Sequence, residues 1–157
     1  MIAVKDGQKS FGERRVFDKV NLTINKGSIV GFVGRNGSGK TVLFKSILGL
    51  LMLDKGEIIV RGQVIGRDIG IVDNVGTIIE SPGFLPNFTG FENLWLLASI
   101  KNILNKEDVK EVIDKVGLDP ESKKKVIQYS MGMRQRLGLA QAIMENPDIL
   151  ILDEPMS

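Results

Sequence analysis

A glycine-rich segment with one lysine and one threonine, GRNGSGKT at residues 34–41, has the spacing of a phosphate-binding loop. The backbone N–H groups of such a loop converge on an anion, and the following helix adds about half a positive charge at its N-terminus. Lys40 is predicted to reach the β- and γ-phosphates of a nucleoside triphosphate, and Thr41 to hold Mg²⁺. The residues predicted to surround the phosphates are Gly34, Arg35, Asn36, Gly37, Ser38, Gly39, Lys40, Thr41 and Val42.

The flanking sequence supplies the elements that would position this loop. The largely apolar run 28–33 is predicted to form a buried strand that enters the loop, and the apolar periodicity after it predicts a helix from about residue 40 to 52. The alternative, an ordinary glycine-rich turn with an incidental lysine, does not account for this order of strand, loop and helix. The order is the context in which the motif binds phosphate.

A pair of carboxylates follows a second apolar run. Residues 149–152, ILIL, are predicted to form a buried strand, and Asp153 and Glu154 come directly after it. Beside a phosphate-binding loop, such an aspartate can hold Mg²⁺ through water, and the adjacent glutamate can take a proton from the water that attacks the γ-phosphate. The other interpretation is a strand that ends in solvated acids.

A third candidate lies where a helix over about 132–144 is predicted to begin. Ser130 and Gly132, within YSMGMRQR (129–136), would place a hydroxyl and a bare backbone at a helix N-terminus, which is favourable for an anion. The same residues are also typical of a plain N-cap, and the residues alone leave both interpretations open.

The remaining pattern is strand-rich before residue 80 and helical after residue 89. Thr89 and Glu92 form a capping-box pattern for a helix whose two faces are both apolar, within about 89–104. This order predicts an α/β core of residues 1–80 and 146–157 with a helical subdomain, 81–145, inserted in it. The other predicted strands are 2–5, 19–25, 57–60, 64–65 and 75–80, and the other predicted helices are 106–116 and 121–127.

Composition limits the class of protein. The chain has 157 residues with 43% hydrophobic and 25% charged residues, which is ordinary for a globular protein, and a net charge of +2 does not demand a nucleic-acid partner. There is no cysteine, no apolar stretch near the 18 residues of a membrane span, and no signal-peptide pattern. We expect a cytoplasmic protein that meets a membrane only through a partner.

In their order, the three motifs resemble those of the ATP-binding cassette (ABC) ATPases, and the resemblance covers essentially the whole chain. It implies a P-loop NTPase core, an N-terminal antiparallel β portion and a helical insert, with ATP and Mg²⁺ bound. Phe11 would stack on adenine, Asp153 would be linked to Mg²⁺, and Glu154 would be the general base. Ser130 and Gly132 would complete the ATP site of a second subunit in a head-to-tail dimer.

The same resemblance implies a transport role. Residues 84–95 would meet an integral membrane permease at the cytoplasmic face of the membrane, and nucleic acid would not be a partner. The stretch ESPGFLPNFTGFENL (80–94) also resembles the subfamily that exports bacteriocins and peptide antibiotics such as bacitracin. Two alternatives stay open: a cytosolic ABC-type ATPase that acts on ribosomes or DNA, and a nucleotide-binding module without catalysis.

Two departures from the family pattern affect the expected chemistry. Glu80 stands where the family usually has a glutamine that senses the γ-phosphate. Since two like charges 4 Å apart repel by about 4 kcal/mol at an effective dielectric of 20, Glu80 must bind the metal, stay distant or be protonated.

The second departure is the absence of histidine from the whole sequence. Family cassettes continue beyond the DEPxS segment through another core strand to a switch histidine. We therefore expect an N-terminal fragment whose core is incomplete at the C-terminus. Such a chain should hydrolyse ATP negligibly and either self-associate or be marginally stable.

Overall fold

A computed structural model describes residues 1–80 and 83–154 of the chain. The chain divides into two compact units, Met1–Asp73 and Asn74–Ser157. The division predicted from sequence, 1–80 with 146–157 against 81–145, is a different one and stays a prediction. Within the described residues, no helix is long and apolar enough to cross a bilayer.

The first unit is built on an antiparallel sheet of four strands in the order β2-β1-β3-β4. A long hairpin connects the first two strands through Gly12, so both strands are longer than the predicted 2–5 and 19–25. Alternation of apolar and polar residues along them is interrupted by register shifts, and the pattern alone therefore missed their full length. The strands are β1 (Ile2–Phe11), β2 (Arg14–Ile24), β3 (Lys55–Val60) and β4 (Gln63–Val64).

Helix α1 (Lys40–Ile47) follows the predicted phosphate loop and contributes Leu43, Phe44 and Ile47 to the buried residues of this unit. The helix ends before Gly49, not at residue 52 as predicted. Gly49 has a φ of 78°, and a Cβ atom there would lie 2.0 Å from the carbonyl oxygen of Gly70. The close approach of that backbone forces the chain to turn.

The predicted strand over 28–33 is wrong. The segment is irregular, and Ile29 and Val33 are fully exposed, at 102% each. Phe32 packs against α1, edge-on to Phe44 with ring centroids 5.2 Å apart. A strand needs a neighbour for its backbone N–H and C=O groups, and within the described residues no strand is paired with this segment.

The second unit contains a parallel pair of strands, β5 (Val75–Ile78) and β6 (Ile149–Leu152). β6 confirms the predicted strand, whereas β5 stops two residues before the predicted end at Glu80. A Cβ atom on Gly76 would lie 1.9 Å from the carbonyl oxygen of Ala142 and 2.8 Å from Cγ of Pro147. This glycine therefore allows a helix to pack directly against the strand.

Three helices and a short 3₁₀ turn surround a core in this unit. They are α2 (Gly90–Lys101), α3 (Lys106–Lys115), the 3₁₀ turn Val126–Gln128 and α4 (Met131–Ile143). The predicted helix over 121–127 is wrong, because the N–H groups of Val126 and Ile127 donate to the carbonyl oxygens of Phe88 and Pro86 in another loop, and only the 3₁₀ turn forms. The core is formed by Leu94, Ala98, Val109, Val112, Ile113, Leu118, Val126, Tyr129, Leu137, Ala140 and Met144.

Candidate functional site

The loop between β2 and α1 depends on glycines whose conformation or surroundings disfavour a side chain. Gly37 and Gly39 have φ angles of 77° and 95°, in the left-handed region. A Cβ atom on Gly34 would lie 2.6 Å from Oγ of Ser38, and one on Gly39 would lie 2.8 Å from Cγ1 of Val16. The backbone thus forms a tight cradle, which fits a phosphate group.

Helix α1 begins directly at this cradle. Gly39 is its N-cap, and the first intrahelical bond runs from the N–H of Leu43 to the carbonyl oxygen of Gly39, at 2.9 Å. The first turn carries no acidic side chain, so no carboxylate there neutralises the positive end of the helix dipole. An anion at this end would be stabilised both by the dipole and by N–H groups of the first turn.

Lys40 lies folded across the loop. Its Nζ donates to the carbonyl oxygens of Gly34 at 2.8 Å and of Arg35 at 3.3 Å. The N–H of Ser38 donates to the same Arg35 oxygen at 3.1 Å. A phosphate oxygen is a charged and therefore stronger acceptor than a carbonyl, so the ammonium group is already positioned to bind a phosphate held by the loop.

Phe11 lies at the end of β1, at the tip of the hairpin, and its side chain is 52% exposed. Lys9 Nζ lies 5.6 Å from the centroid of its ring, a cation–π distance. The same Nζ forms an ion pair with Asp54 at 2.8 Å. The hydrogen bond from Lys9 Nζ, together with a second one from the N–H of Ser10, holds the pKa of Asp54 below its usual range. The ring is therefore held at the tip with part of its surface in solvent.

The three acidic candidates lie at one edge of the β5–β6 pair. The strands run parallel with Ile78 opposite Leu152, so their carboxyl ends reach the same edge. The N–H of Asp153 extends the ladder by donating to the carbonyl oxygen of Ile78 at 2.7 Å. Glu80 and Glu154, each two residues beyond this pair, have φ angles of 65° and 48°. Left-handed conformations are uncommon for glutamate and recur at functional sites.

The predicted Mg²⁺ ligands are the hydroxyl of Thr41 and the carboxylates of Asp153 and Glu80. Hard oxygen donors of this kind suit Mg²⁺, which keeps several waters and takes phosphate oxygens in nucleotide sites. Within residues 1–80 and 83–154, no three acidic, histidine or cysteine side chains are grouped as a metal site by themselves. The donor chemistry therefore fits Mg²⁺ that arrives with a nucleotide, and the ligand set itself stays a prediction.

Ser130 and Gly132 lie at the exposed N-terminus of α4. The Oγ of Ser130 accepts a hydrogen bond from the N–H of Met133 at 3.2 Å, which is an N-cap contact. A Cβ atom on Gly132 would meet nothing within 4 Å, so packing in this chain does not require a glycine there. The N-cap interpretation is confirmed, while a role toward a second nucleotide stays a prediction.

Comparison with known proteins identifies the family. A family model described as "ABC transporter" matches residues 17–157. The chain belongs to the ABC transporter family. An uncharacterised ABC transporter ATP-binding protein of Bacillus subtilis is 43% identical over 155 residues, which are 99% of this chain and 71% of that protein. A bacitracin transport ATP-binding protein of Enterococcus faecalis is 42% identical over 158 residues, covering 100% of this chain and 51% of that protein.

The chain thus spans about half the length of one of these ABC relatives. Among solved structures, a bacterial ABC transporter cassette determined as a dimer has a TM-score of 0.84 at 26% identity. The match covers 99% of this chain and 74% of that cassette. The predicted fold class, a P-loop NTPase core with an antiparallel β portion and a helical part, is confirmed.

Each ABC motif can now be placed within its own unit. In the first unit, β2 joins the Phe11 hairpin to the P-loop, since Val16 packs against Gly39. Neither the place of Val16 nor the contact of Lys9 with Phe11 was predicted from the sequence. Alternation along β2 gives no signal for Val16, because the register of β1 and β2 shifts between the Ser10–Arg15 and Lys9–Phe17 pairs. The candidates in the second unit are Glu80, Ser130, Gly132, Asp153 and Glu154.

Proposed function

We propose that the protein containing this chain is the ATP-hydrolysing subunit of an ABC transporter. It couples closure of an ATP-bound, head-to-tail dimer to export through a separate integral membrane permease, and it is peripheral at the cytoplasmic face of the membrane. The observation that carries the proposal is the glycine cradle with Lys40 folded across it at the start of α1. The exported substrates are peptide antibiotics, because a relative 42% identical is named a bacitracin transport protein.

The P-loop residues bind the nucleotide. Lys40 exchanges its carbonyl acceptors for oxygens of the β- and γ-phosphates, and the left-handed glycines let the backbone surround them. Phe11 stacks on the adenine. Thr41 and Asp153 would hold Mg²⁺ through oxygen ligands, and the ion would supply positive charge beside the phosphates.

Glu154 acts as the general base. A base at this position accepts a proton from the attacking water and so raises its nucleophilicity. Glu80 has an exposed carboxylate at the same strand edge, and we assign it to the hydration shell of the metal. Because the group is exposed, solvent and salt screen its repulsion from the phosphates.

Nucleotide binding is tested by calorimetry on Lys40→Ala with Lys26→Ala as the control. Both variants lose one positive charge, but Lys26 lies in the turn before the P-loop segment. Loss of a charged hydrogen bond should weaken ATP binding about 10- to 100-fold in Lys40→Ala only. Equal affinity of the two variants would contradict the assignment of Lys40.

Hydrolysis is tested in the natural protein with Glu154→Gln. The amide keeps the size of the side chain but cannot accept the proton, so turnover should fall about 100-fold or more while ATP binding is retained. Phosphate release and nucleotide binding are measured on the same sample. Turnover at the parental rate would place the base elsewhere.

The permease docks on apolar side chains that remain exposed in the second unit. Leu85, Phe88 and Ile127, which we call the loop face, are 41%, 43% and 64% exposed. The backbone under this face is fixed, because the side chain of Asn93 accepts from the N–H of Leu85 at 2.7 Å and donates to its carbonyl oxygen at 3.1 Å. On α2, Leu96 and Ile100 are also exposed, while the Leu94 side of the helix is buried.

Docking is tested by copurification with the cognate permease. Phe88→Asp should reduce recovery of the complex strongly, because it places a charge in an apolar contact. Ile71→Asp is the control, since Ile71 is 66% exposed but belongs to the first unit. ATP binding should be unchanged in both variants. Equal recovery with Phe88→Asp and Ile71→Asp would contradict this docking face.

A further inference from the structure

Arg14 is the first residue of β2 and lies directly across the hairpin from Phe11. The two residues are register partners on either side of the Gly12–Glu13 turn. Arg14 is exposed, so packing in the core does not explain why an arginine occupies this position. The pairing places Arg14 opposite the residue whose ring we assign to adenine.

The side chain of Arg14 also approaches the P-loop. A Cβ atom built on Gly37 would lie 4.0 Å from Nη2 of Arg14. Val16, two residues later on β2, lies beside Gly39. The register between β1 and β2 shifts at this point, so strand alternation does not settle the directions, but the two contacts show that Arg14 and Val16 both approach the loop.

Arg15 provides an internal comparison. Its Nη1 forms an ion pair with Asp18 at 2.8 Å, which occupies the guanidinium. Within residues 1–80 and 83–154, the Arg14 side chain has no hydrogen-bond or ion-pair partner. The two adjacent arginines therefore differ in pairing, and of the two it is Arg14 that keeps its donors available and approaches the P-loop.

We propose that Arg14 is a further nucleotide-binding residue, whose guanidinium binds the phosphate chain at the P-loop; this inference rests on the proposed ATP site. A guanidinium presents planar, paired N–H donors that match phosphate oxygens and keeps its charge at any physiological pH. Arg14 binds from the β2 side of the cradle. The residue is not needed for the chemistry and acts on affinity.

The test is ATP, ADP and adenosine binding, measured by calorimetry on the parent chain, Arg14→Ala, Arg14→Lys and Arg15→Ala. Arg14→Ala should weaken ATP binding about tenfold and ADP binding less, because a charged hydrogen bond to phosphate is lost. Arg14→Lys should recover part of the loss, since it restores charge without the paired donors. Adenosine affinity should be the same in all four proteins, and Arg15→Ala should bind ATP like the parent.

The other outcomes overturn the inference in separable ways. If the parent binds ATP and Arg14→Ala binds it like Arg15→Ala, the inference fails while the ATP site stands. If adenosine binding falls as much as ATP binding in Arg14→Ala, the residue acts on the hairpin or on Phe11 and not on phosphate, which also overturns it. If the parent does not bind ATP, the proposed function fails, and the inference fails with it.

Discussion

Two short apolar runs lead into the two charged motifs of this chain, and only one of the runs forms a strand. Residues 28–33 precede the P-loop as an irregular segment with Ile29 fully exposed, whereas β6 precedes Asp153 as a strand with Ile151 only 8% exposed. The chemical difference between the runs is small. The backbone of β6 is paired with that of β5. An apolar run therefore becomes a strand only where a partner strand is present.

The entries into helices α1 and α2 differ in a related way. Gly39 caps α1 through a left-handed backbone, with no side-chain hydrogen bond. α2 begins with a capping box, in which Thr89 accepts from the N–H of Glu92 and Glu92 accepts from the N–H of Thr89. The first entry leaves N–H groups for a ligand, whereas side chains of the chain itself satisfy the second.

The largest difference in the free energy of unfolding is expected between aspartate substitutions in the two apolar runs. Ile151→Asp places an uncompensated charge among buried residues and should lower the free energy of unfolding by about 3–5 kcal/mol. Ile29→Asp changes an exposed side chain and should alter it by less than about 0.5 kcal/mol. Chemical denaturation of both variants measures the difference. A cost for Ile29→Asp near that of Ile151→Asp would mean that the first run is buried in solution.

A smaller loss of stability is expected when glycines near the two runs are replaced by alanine. Gly76→Ala forces a methyl group against the carbonyl oxygen of Ala142, 1.9 Å from the Cβ position, and should cost about 3 kcal/mol. Gly31→Ala should be nearly neutral, because nothing lies within 4 Å of its Cβ position. Thermal unfolding of the pair gives the result. Tolerance of Gly76→Ala would show that α4 does not press on β5 as described.

The smallest expected effect is a change in the pH dependence of stability, caused by Glu92 in the capping box at the start of α2. The backbone N–H of Thr89 and the ammonium of Lys125 hold the pKa of Glu92 below its ordinary value. A lowered pKa in the folded state gives stability that is complete above the unfolded-state pKa and is lost as pH falls through the folded-state pKa. Stability should therefore decline in acid below about pH 4 by an amount that Glu92→Gln removes.

The control for this pH effect is Glu111→Gln on α3, where the carboxylate lies 3.7 Å from Lys115 and caps no helix. Unfolding midpoints between pH 7 and pH 3 are compared for the parent and both variants. The unfolding midpoint of Glu92→Gln should change less with pH than the midpoints of the parent and of Glu111→Gln. Parallel curves for all three proteins would remove the capping box as a source of acid sensitivity.

Local signals in the sequence were sufficient for several features. The capping box at Thr89 and Glu92 and the strand 149–152 are confirmed, because each depends on neighbouring residues in the chain. The predicted helix over 121–127 is wrong for the opposite reason. Val126 and Ile127 bond to the distant loop residues Phe88 and Pro86, and no local pattern encodes that competition.

For the site, the sequence by itself determined which residues can do chemistry: the glycines, Lys40 and Thr41 of the P-loop, and Asp153 and Glu154 after an apolar run. Spacing along the chain suffices there, because a phosphate loop and a strand end are contiguous segments. Only the tertiary structure decided that Arg14 lies beside Gly37, and that Glu80 shares a strand edge with Glu154. Those neighbours are distant in sequence, and backbone pairing and close packing, which no residue type specifies alone, bring them together.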